Sequence, residues 1–367
     1  MNFVLKKAES YNYTTDVLSG MACRWPFRHL DIHISGDISI CCFAWLPEMT
    51  VNILEVSTEE ILENTKRLSI LNDMQQGKFS KCNDICPYIN ESLTTGDPNR
   101  YPFQPIDKLM DVVKQDNYLL FISYDQSCNL QCPSCRKGLI FYRPEDSSPE
   151  VSKILRIHEK VKDLVNLLIS RGEGVTLIIT GSGDPFASLL YWNYLKELAA
   201  MSLPKSFRIR LVTNGVLMTA AYWKEIEPLW KHINFVGVTI DATTEETYKI
   251  VRKNGNFTSL KRNLSLLDNM VSEKKFPNLL LWQANFVVQT ANFHELADFV
   301  RWQLTYKTLG RISPSMIIQW GHLSDEEYKS MTKIDLEELS RILSDPIFGD
   351  RRIQLGNLSG YRKINRN

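Results

Sequence analysis

Between residues 118 and 320, a short apolar run suited to a strand is followed repeatedly by a longer stretch with helical periodicity. The strand candidates are 118–124, 175–180, 207–213, 235–240, 279–289 and 313–320. Helices are expected over about 149–170, 187–201, 217–231, 257–272 and 292–307, with a last one over 324–344. Alternation at this spacing builds right-handed βαβ units and a parallel sheet. Six units fall short of the eight of a closed barrel, so the expected fold is α/β, a partial (β/α)6 TIM-like barrel. Ligands in such a sheet bind at the carboxyl ends of the strands, which directs attention to the loops that follow them.

The chain ahead of residue 118 has a different texture. His29–Phe43 alternates apolar and polar residues on both sides of Gly36-Asp37, the pattern of a β-hairpin whose turn uses the positive φ that glycine tolerates. Ser57, Thr58, Glu59 and Glu60 make a capping-box sequence, so a helix is expected from there to about Gln76, with Gly77 just past its end. Residues 87–117 hold Pro87, Pro98, Pro102 and Pro105 and read as a connector with a short helix near 106–115. At roughly 100–200 residues per domain, 367 residues allow two domains, or one large domain with an appendage. The expected division is a small hairpin-plus-helix unit over 1–90, a linker over 91–117, the partial barrel over 118–323 and a helical extension over 324–367. So small a first unit has a marginal core and gains from a bound metal.

All eight cysteines lie in the first 135 residues, in two groups. Cys23, Cys41, Cys42, Cys82 and Cys86 belong to the small unit; Cys128, Cys132 and Cys135 form a C-x3-C-x2-C run directly after the first barrel strand. Buried apolar cysteines would be spread more evenly, so metal ligation by two separate groups is the expectation. Lys plus Arg number 43 against 42 Asp plus Glu; the net charge of +1 gives no bulk attraction for a polyanion, and nucleic acid is not indicated. No apolar run approaches the roughly 20 residues that span a bilayer, and the first residues lack a signal-peptide core. The expected location is the cytoplasm, with no membrane partner, where clustered cysteines read as metal ligands rather than disulfides. Three thiolates at the triad spacing can hold three corners of a cubane iron–sulfur cluster and leave the fourth iron open. A structural zinc site is the alternative; it wants four ligands, and the nearest later histidine, His158, lies in an expected helix.

The triad after the first strand of a partial barrel resembles the radical S-adenosylmethionine (SAM) superfamily, over about residues 118–323. The resemblance implies a [4Fe–4S] cluster on Cys128, Cys132 and Cys135, with SAM on the open iron. Ser134 departs from the pattern, because the residue before the last cysteine is usually aromatic in that family. Ser182, Gly183, Asp184 and Pro185 resemble its Gly-Gly-Glu-Pro motif, where glycine lets the backbone approach the methionine amino group of SAM and the acid can accept an ammonium hydrogen bond. Thr213, Asn214 and Gly215 resemble the polar turn after the third strand. Asp241 ends the fourth strand and Arg252 lies in the next helix, where resembling proteins place polar residues around the SAM ribose and carboxylate. Asp241 reads equally as an acid at the start of a helix over Thr243–Lys249. Gln289–Asn292 and Glu295 are weakly similar to the adenine-side loop.

Cys23, Gly36 and Cys41 in a C-x12-G-x4-C arrangement, then Cys82 and Cys86, resemble the twitch (half-SPASM) auxiliary-cluster domain, here ahead of the barrel. The resemblance implies a second, auxiliary [4Fe–4S] cluster on Cys23, Cys41, Cys82 and Cys86; four cysteines would also close a tetrahedral zinc site. Cys42 is spare, on the opposite face from Cys41, and is either a buried thiol or a catalytic hydrogen-atom donor. His29 and His33 read as surface or turn residues. Tyr124, Gln319, Trp320 and His322 lie near strand ends as candidates to face a substrate, His322 as a catalytic group; Trp320 and His322 read also as lid packing.

The same resemblance implies that a reduced triad cluster passes one electron into SAM, giving methionine and a 5′-deoxyadenosyl radical that takes hydrogen from a substrate C–H. A low-potential electron donor of the flavodoxin or ferredoxin type is then implied. The expected outcome is a net oxidation or epimerisation of a small metabolite, sugar or glycan, since no separate leader-peptide-binding domain of roughly 80 residues fits beside the cluster unit. The alternatives are a maturase of a ribosomally made peptide or protein, and a non-catalytic metal-stabilised binding protein.

Overall fold

The computed structural model describes residues 16–83, 86–99, 101–179, 182–319 and 323–362. They fall into two compact units. The first takes in the chain up to Asp125 with Pro144–Ile178 and Pro204–Arg208; the second takes in Gln126–Arg143, Ile179–Leu203 and the chain from Ile209 onward. Among the described residues, nine strands belong to one mostly parallel sheet, the α/β arrangement expected of a partial TIM-like barrel.

The first unit carries β1 (Met21–Cys23), β2 (His29–Ile32), β3 (Asp37–Ser39), β4 (Met49–Asn52), β5 (Phe103–Pro105), β6 (Tyr118–Ile122) and nearly all of β7 (Val175–Ile179). The expected hairpin is β2–β3, with Ile32 opposite Ile38 and Gly36 at φ +89°. A Cβ on Gly36 would stand 2.8 Å from the Asn52 amide oxygen, so the turn needs glycine for its space as well as its dihedral. β2 also runs parallel to β6, with Leu30 beside Leu120 and Ile32 beside Ile122, and these four side chains are fully buried. The segment expected to stand apart as a cluster unit therefore shares a sheet with the first barrel strand. The stretch expected as a connector contributes β5, which pairs antiparallel with β1 and sets Cys23 opposite Phe103.

The helix Pro149–Ser170 starts where Ser148 accepts the Val151 N–H with proline in the first turn, and it turns Ile157, His158, Val161 and Leu164 inward. The expected helix over 57–76 is instead two, Thr58–Glu63 and Thr65–Gln75. Asn64 breaks it, because its side-chain oxygen accepts the N–H groups of Lys66 and Arg67 and so caps a second start.

The second unit carries β8 (Arg208–Thr213, from its second residue), β9 (Ile233–Thr239), β10 (Leu281–Val288) and β11 (Leu309–Met316), paired in parallel in the order β11-β10-β9-β8. Along β10, Trp282, Ala284, Phe286 and Val288 are buried and alternate with half-buried Leu281, Gln283, Asn285 and Val287. Phe286 packs on Phe299 of the helix Leu296–Gln303, with ring centroids 4.7 Å apart. β11 begins and ends about four residues before the expected 313–320; it tolerates Pro314 because it stands at the end of the strand order. The helix expected over 217–231 stops at Glu225, ahead of Pro228, and the one over 324–344 divides into Asp325–Thr332 and Leu336–Leu343, the second capped by Asp335.

Candidate functional site

The loop that follows β6 holds the cysteine triad. Cys135 and Arg136 both donate their backbone N–H to the Cys132 carbonyl, a tight turn that gathers the side chains. Cys128 and Cys132, 8% and 5% exposed, pack with Leu130, and Cys135 and Val216 lie against them. Each sulfur has its own side-chain donor. Asn214 Nδ2 lies 3.7 Å from Cys128 Sγ, Arg252 Nη1 lies 3.4 Å from Cys132 Sγ and Arg136 Nη2 lies 3.5 Å from Cys135 Sγ. The Leu130 N–H adds a second donor to Cys128 at 3.4 Å. Burial pushes the Cys128 thiol up to about 12. A buried thiol becomes a thiolate when a cation takes the charge, and donors aimed at sulfur favour the same state. The residues therefore fit a thiolate-held iron–sulfur cluster.

The loops at the other strand ends brace this one. Asp184 is 1% exposed; its Oδ2 accepts from Thr213 Oγ1 and the Asn214 N–H, each at 2.8 Å, and its Oδ1 accepts from the Phe186 N–H at 2.9 Å. Its own N–H bonds to the Ser127 carbonyl, one residue before Cys128. The expected motif thus joins the loop after β7 to the triad loop and to the turn that carries Asn214. Arg136 straps the same loops, donating to the carbonyls of Gln126 and Ser182. Ser182, Gly183 and Pro185 lie in this described stretch, while Thr180 and Gly181 lie outside the described residues.

Asp241 has φ 65°, a left-handed conformation for a non-glycine residue. It forms an ion pair with Arg252 at 2.6 Å and accepts the Val287 N–H. Burial works against the Arg252 charge, but the carboxylate and the Cys132 sulfur hold it well above the ordinary range. The helix Glu245–Val251 is capped by Thr244 and has Glu245 and Glu246 in its first turn, Glu295 accepts from the Thr243 and Thr244 hydroxyls, and Asp241 is engaged with Arg252 instead. Asn292 Nδ2 donates to the Asp241 carbonyl, which makes Gln289–Glu295 a support for Asp241. Arg252 Nε, the Tyr248 hydroxyl and Gln289 Nε2 are buried without a partner among the described residues. Polar atoms so placed suit a bound polar ligand.

In the first unit, Cys23, Cys41, Cys82 and Cys86 line one cavity together with Trp25, Trp45 and Tyr88. Burial raises all four thiols, Cys82 to about 12, and neighbouring cysteines add to the rise for Cys23, Cys41 and Cys82. Among the described residues, no three His, Cys, Asp or Glu side chains converge on the position of a single metal ion; a four-iron cubane holds its cysteine sulfurs farther apart than one ion does. Cys42 is outside that lining, and its thiol is raised by burial and by the Asp31 carboxylate on β2.

Some expectations are corrected. Tyr124, expected to face a substrate, is fully buried, with its hydroxyl 2.8 Å from His158 Nδ1. His29 is no surface residue; it is 2% exposed, its ring 4.5 Å from Phe121 and 5.3 Å from Trp25. Burial lowers it to about 3, so it is neutral. Half-buried His33 meets the Ser39 hydroxyl. Gln319 donates to the Leu323 carbonyl, and Trp320 and His322 lie outside the described residues. Arg136 went unnoticed in the sequence, although its place directly after Cys135 was a signal.

A parallel α/β sheet with three donor-supported cysteines in the loop after its first barrel strand has the make-up of an iron–sulfur enzyme. Residues 122–300 match the Radical SAM superfamily, a match that implies a [4Fe–4S] cluster and SAM. Among solved structures, the chain is similar to TYW1 with a lysine-pyruvate adduct bound, at 18% identity over 61% of this chain and 70% of that one, with a TM-score of 0.38. It is similar to SuiB of Streptococcus suis at 13% identity over 72% of this chain and 58% of that one, with a TM-score of 0.43. Archaeal TYW1 is 18% identical over 57% of this chain and 68% of its own, with a TM-score of 0.31. No curated protein matches. No helix among the described residues is long and apolar enough to cross a membrane.

Proposed function

We propose that the chain is a radical SAM enzyme that abstracts hydrogen from a substrate C–H in a net oxidation or epimerisation of a small metabolite, sugar or glycan. The observation that carries the proposal is that three cysteine sulfurs gathered on one loop, two of them buried, each have a separate side-chain donor. When bound, the cluster supplies an electron to SAM, and SAM supplies the radical. Cys128, Cys132 and Cys135 hold the cluster. Asp184 fixes the turn that aims Asn214 at Cys128. Ser182, Gly183, Asp184 and Pro185 shape the place for the SAM methionine group, and Asn214, Asp241 and Arg252 offer polar contacts to the rest of the cofactor. Burial of Asp184, Asn214 and Asp241 helps to exclude water from the reacting atoms.

Cys23, Cys41, Cys82 and Cys86 are proposed to hold an auxiliary [4Fe–4S] cluster, supported by the single cavity they share. Cys42, which follows β3 and stands outside the lining of that cavity, is the candidate thiol for a hydrogen-atom step. The electron comes from a flavodoxin- or ferredoxin-type donor in the cytoplasm. Anaerobic reconstitution with iron and sulfide, then SAM and a low-potential reductant, should yield 5′-deoxyadenosine. A fully loaded, reduced protein that leaves SAM intact would overturn the reading. Iron counting tests the second cluster: Cys82→Ser should lower the iron content by about half and leave the triad signal in place, whereas zinc there would leave the iron content unchanged.

A further inference from the structure

Arg252 stands between a metal-ligand sulfur and an acid. Its Nη1 donates to Cys132 Sγ at 3.4 Å, and its Nη2 meets Asp241 Oδ2 at 2.6 Å. The side chains of Arg252 and Asp241 are 12% and 2% exposed, so water screens neither charge well. Asp241 has little freedom to move away. Its other carboxylate oxygen accepts the Val287 N–H at 2.7 Å, its carbonyl accepts Asn292 Nδ2 at 2.9 Å, and its backbone is held at φ 65°. A conformation this uncommon in a non-glycine residue persists because its surroundings impose it. Asn214 and Arg136 supply donors to the other two sulfurs, but neither carries a carboxylate in an ion pair among the described residues.

We propose that Arg252 and Asp241 form a charge lever that sets the reduction potential of the cluster held by Cys132. This goes beyond contact with SAM and rests on the radical SAM reading. On reduction, one electron passes from the low-potential donor to the cluster, which gains one negative charge; no bond is made and no proton moves. The Arg252 cation and its N–H···S bond stabilise the more negative state and raise the potential. Asp241, a positioning residue, aims the guanidinium at the sulfur and at the same time offsets its charge. The two halves of one ion pair therefore act on the cluster with opposite sign.

The test is a redox titration of the reconstituted full chain, following the paramagnetic reduced state by electron paramagnetic resonance. The triad cluster is the one whose signal changes when SAM is added. Arg252→Gln should make its reduction less favourable by about tenfold, about 59 mV for one electron. Asp241→Asn should make it more favourable by threefold or more; asparagine tolerates the left-handed backbone and can still accept the Val287 N–H. Arg252→Lys, which keeps the charge, should stay within threefold of the parent. Shifts of the same sign in Arg252→Gln and Asp241→Asn, or no shift in either, overturn the lever, since a pair that only braces the loop has no reason to split in sign. If Arg252→Gln fails to hold its cluster, Asp241→Asn decides: a more favourable reduction supports the lever, and an unchanged or less favourable one overturns it. A parent protein with no SAM-sensitive cluster overturns the radical SAM reading instead, which separates the two failures.

Discussion

His158 offers a test in which pH is the perturbation. It is 4% exposed on the helix Pro149–Ser170, with Nδ1 2.8 Å from the Tyr124 hydroxyl. Burial lowers its pKa from 6.5 to about 4, and the Lys162 charge adds to the fall. The folded state thus binds a proton less readily than the unfolded chain. A depressed histidine contributes stability that is complete above the unfolded pKa of 6.5 and is lost as the pH falls toward about 4. The difference of two and a half units, at roughly 1.36 kcal/mol each, is about 3 kcal/mol, of which about 2 kcal/mol is gone by pH 5. Other groups titrate in the same window, so the measurement is a difference against His158→Asn, whose side-chain oxygen can still meet the Tyr124 hydroxyl. Urea melts of both proteins between pH 7.5 and 4.5 should show the parent losing about 2 kcal/mol relative to the variant by pH 5. Parallel curves would refute the reasoning: His158 would then charge as easily inside the fold as outside.

Asp184→Asn keeps the side chain's shape but turns one of two accepting oxygens into a donor, leaving a buried N–H unpaired at Phe186 or at Asn214. It should cost about 2 kcal/mol in a urea melt and weaken SAM binding by calorimetry, and an unchanged midpoint would count against the bracing role. Gly174→Ala places a Cβ 2.0 Å from Asn117 Oδ1 and must displace a side chain that donates to Thr176 Oγ1 and the Ser206 carbonyl. A loss of about 1–3 kcal/mol is expected in thermal or urea melts, and a neutral result would mean that Asn117 moves freely.

The triad was legible because its spacing and its place after a strand are both local properties of the chain. The barrel strands were legible for the same reason: apolar runs such as 118–122 and 175–179 stand between amphipathic helices. Capping cut both ways. Ser57 and Glu60 announce a helix start, yet Asn64 ends that helix seven residues later by capping the next, a local bond that the apolar pattern does not reveal. The partner of Asp241 was named, but not the ion pair; Arg252 comes within reach because the helix between them ends at Val251 and turns the guanidinium back. The burial of His29 was out of reach altogether. It depends on Phe121, a residue of β6 that no local pattern in the hairpin could supply.

The pairing of β2 with β6 also bears on the order in which the molecule can be assembled. Cys23 lies in a strand whose partner residue is Phe103, and His29, at the start of β2, lies beside Leu119. Closing such wide loops is entropically costly, and neither contact can form on the ribosome until the partner strand has emerged. Until β5 has been made, Cys23 lies in a strand without its partner, while β2, β3 and β4 can already pair beside Cys41. A cluster on the four cysteines would then be loaded only after β5, whose Phe103 lines their cavity, has been made, and shortening the chain from its N-terminus would leave β6 with an open, apolar edge prone to self-association.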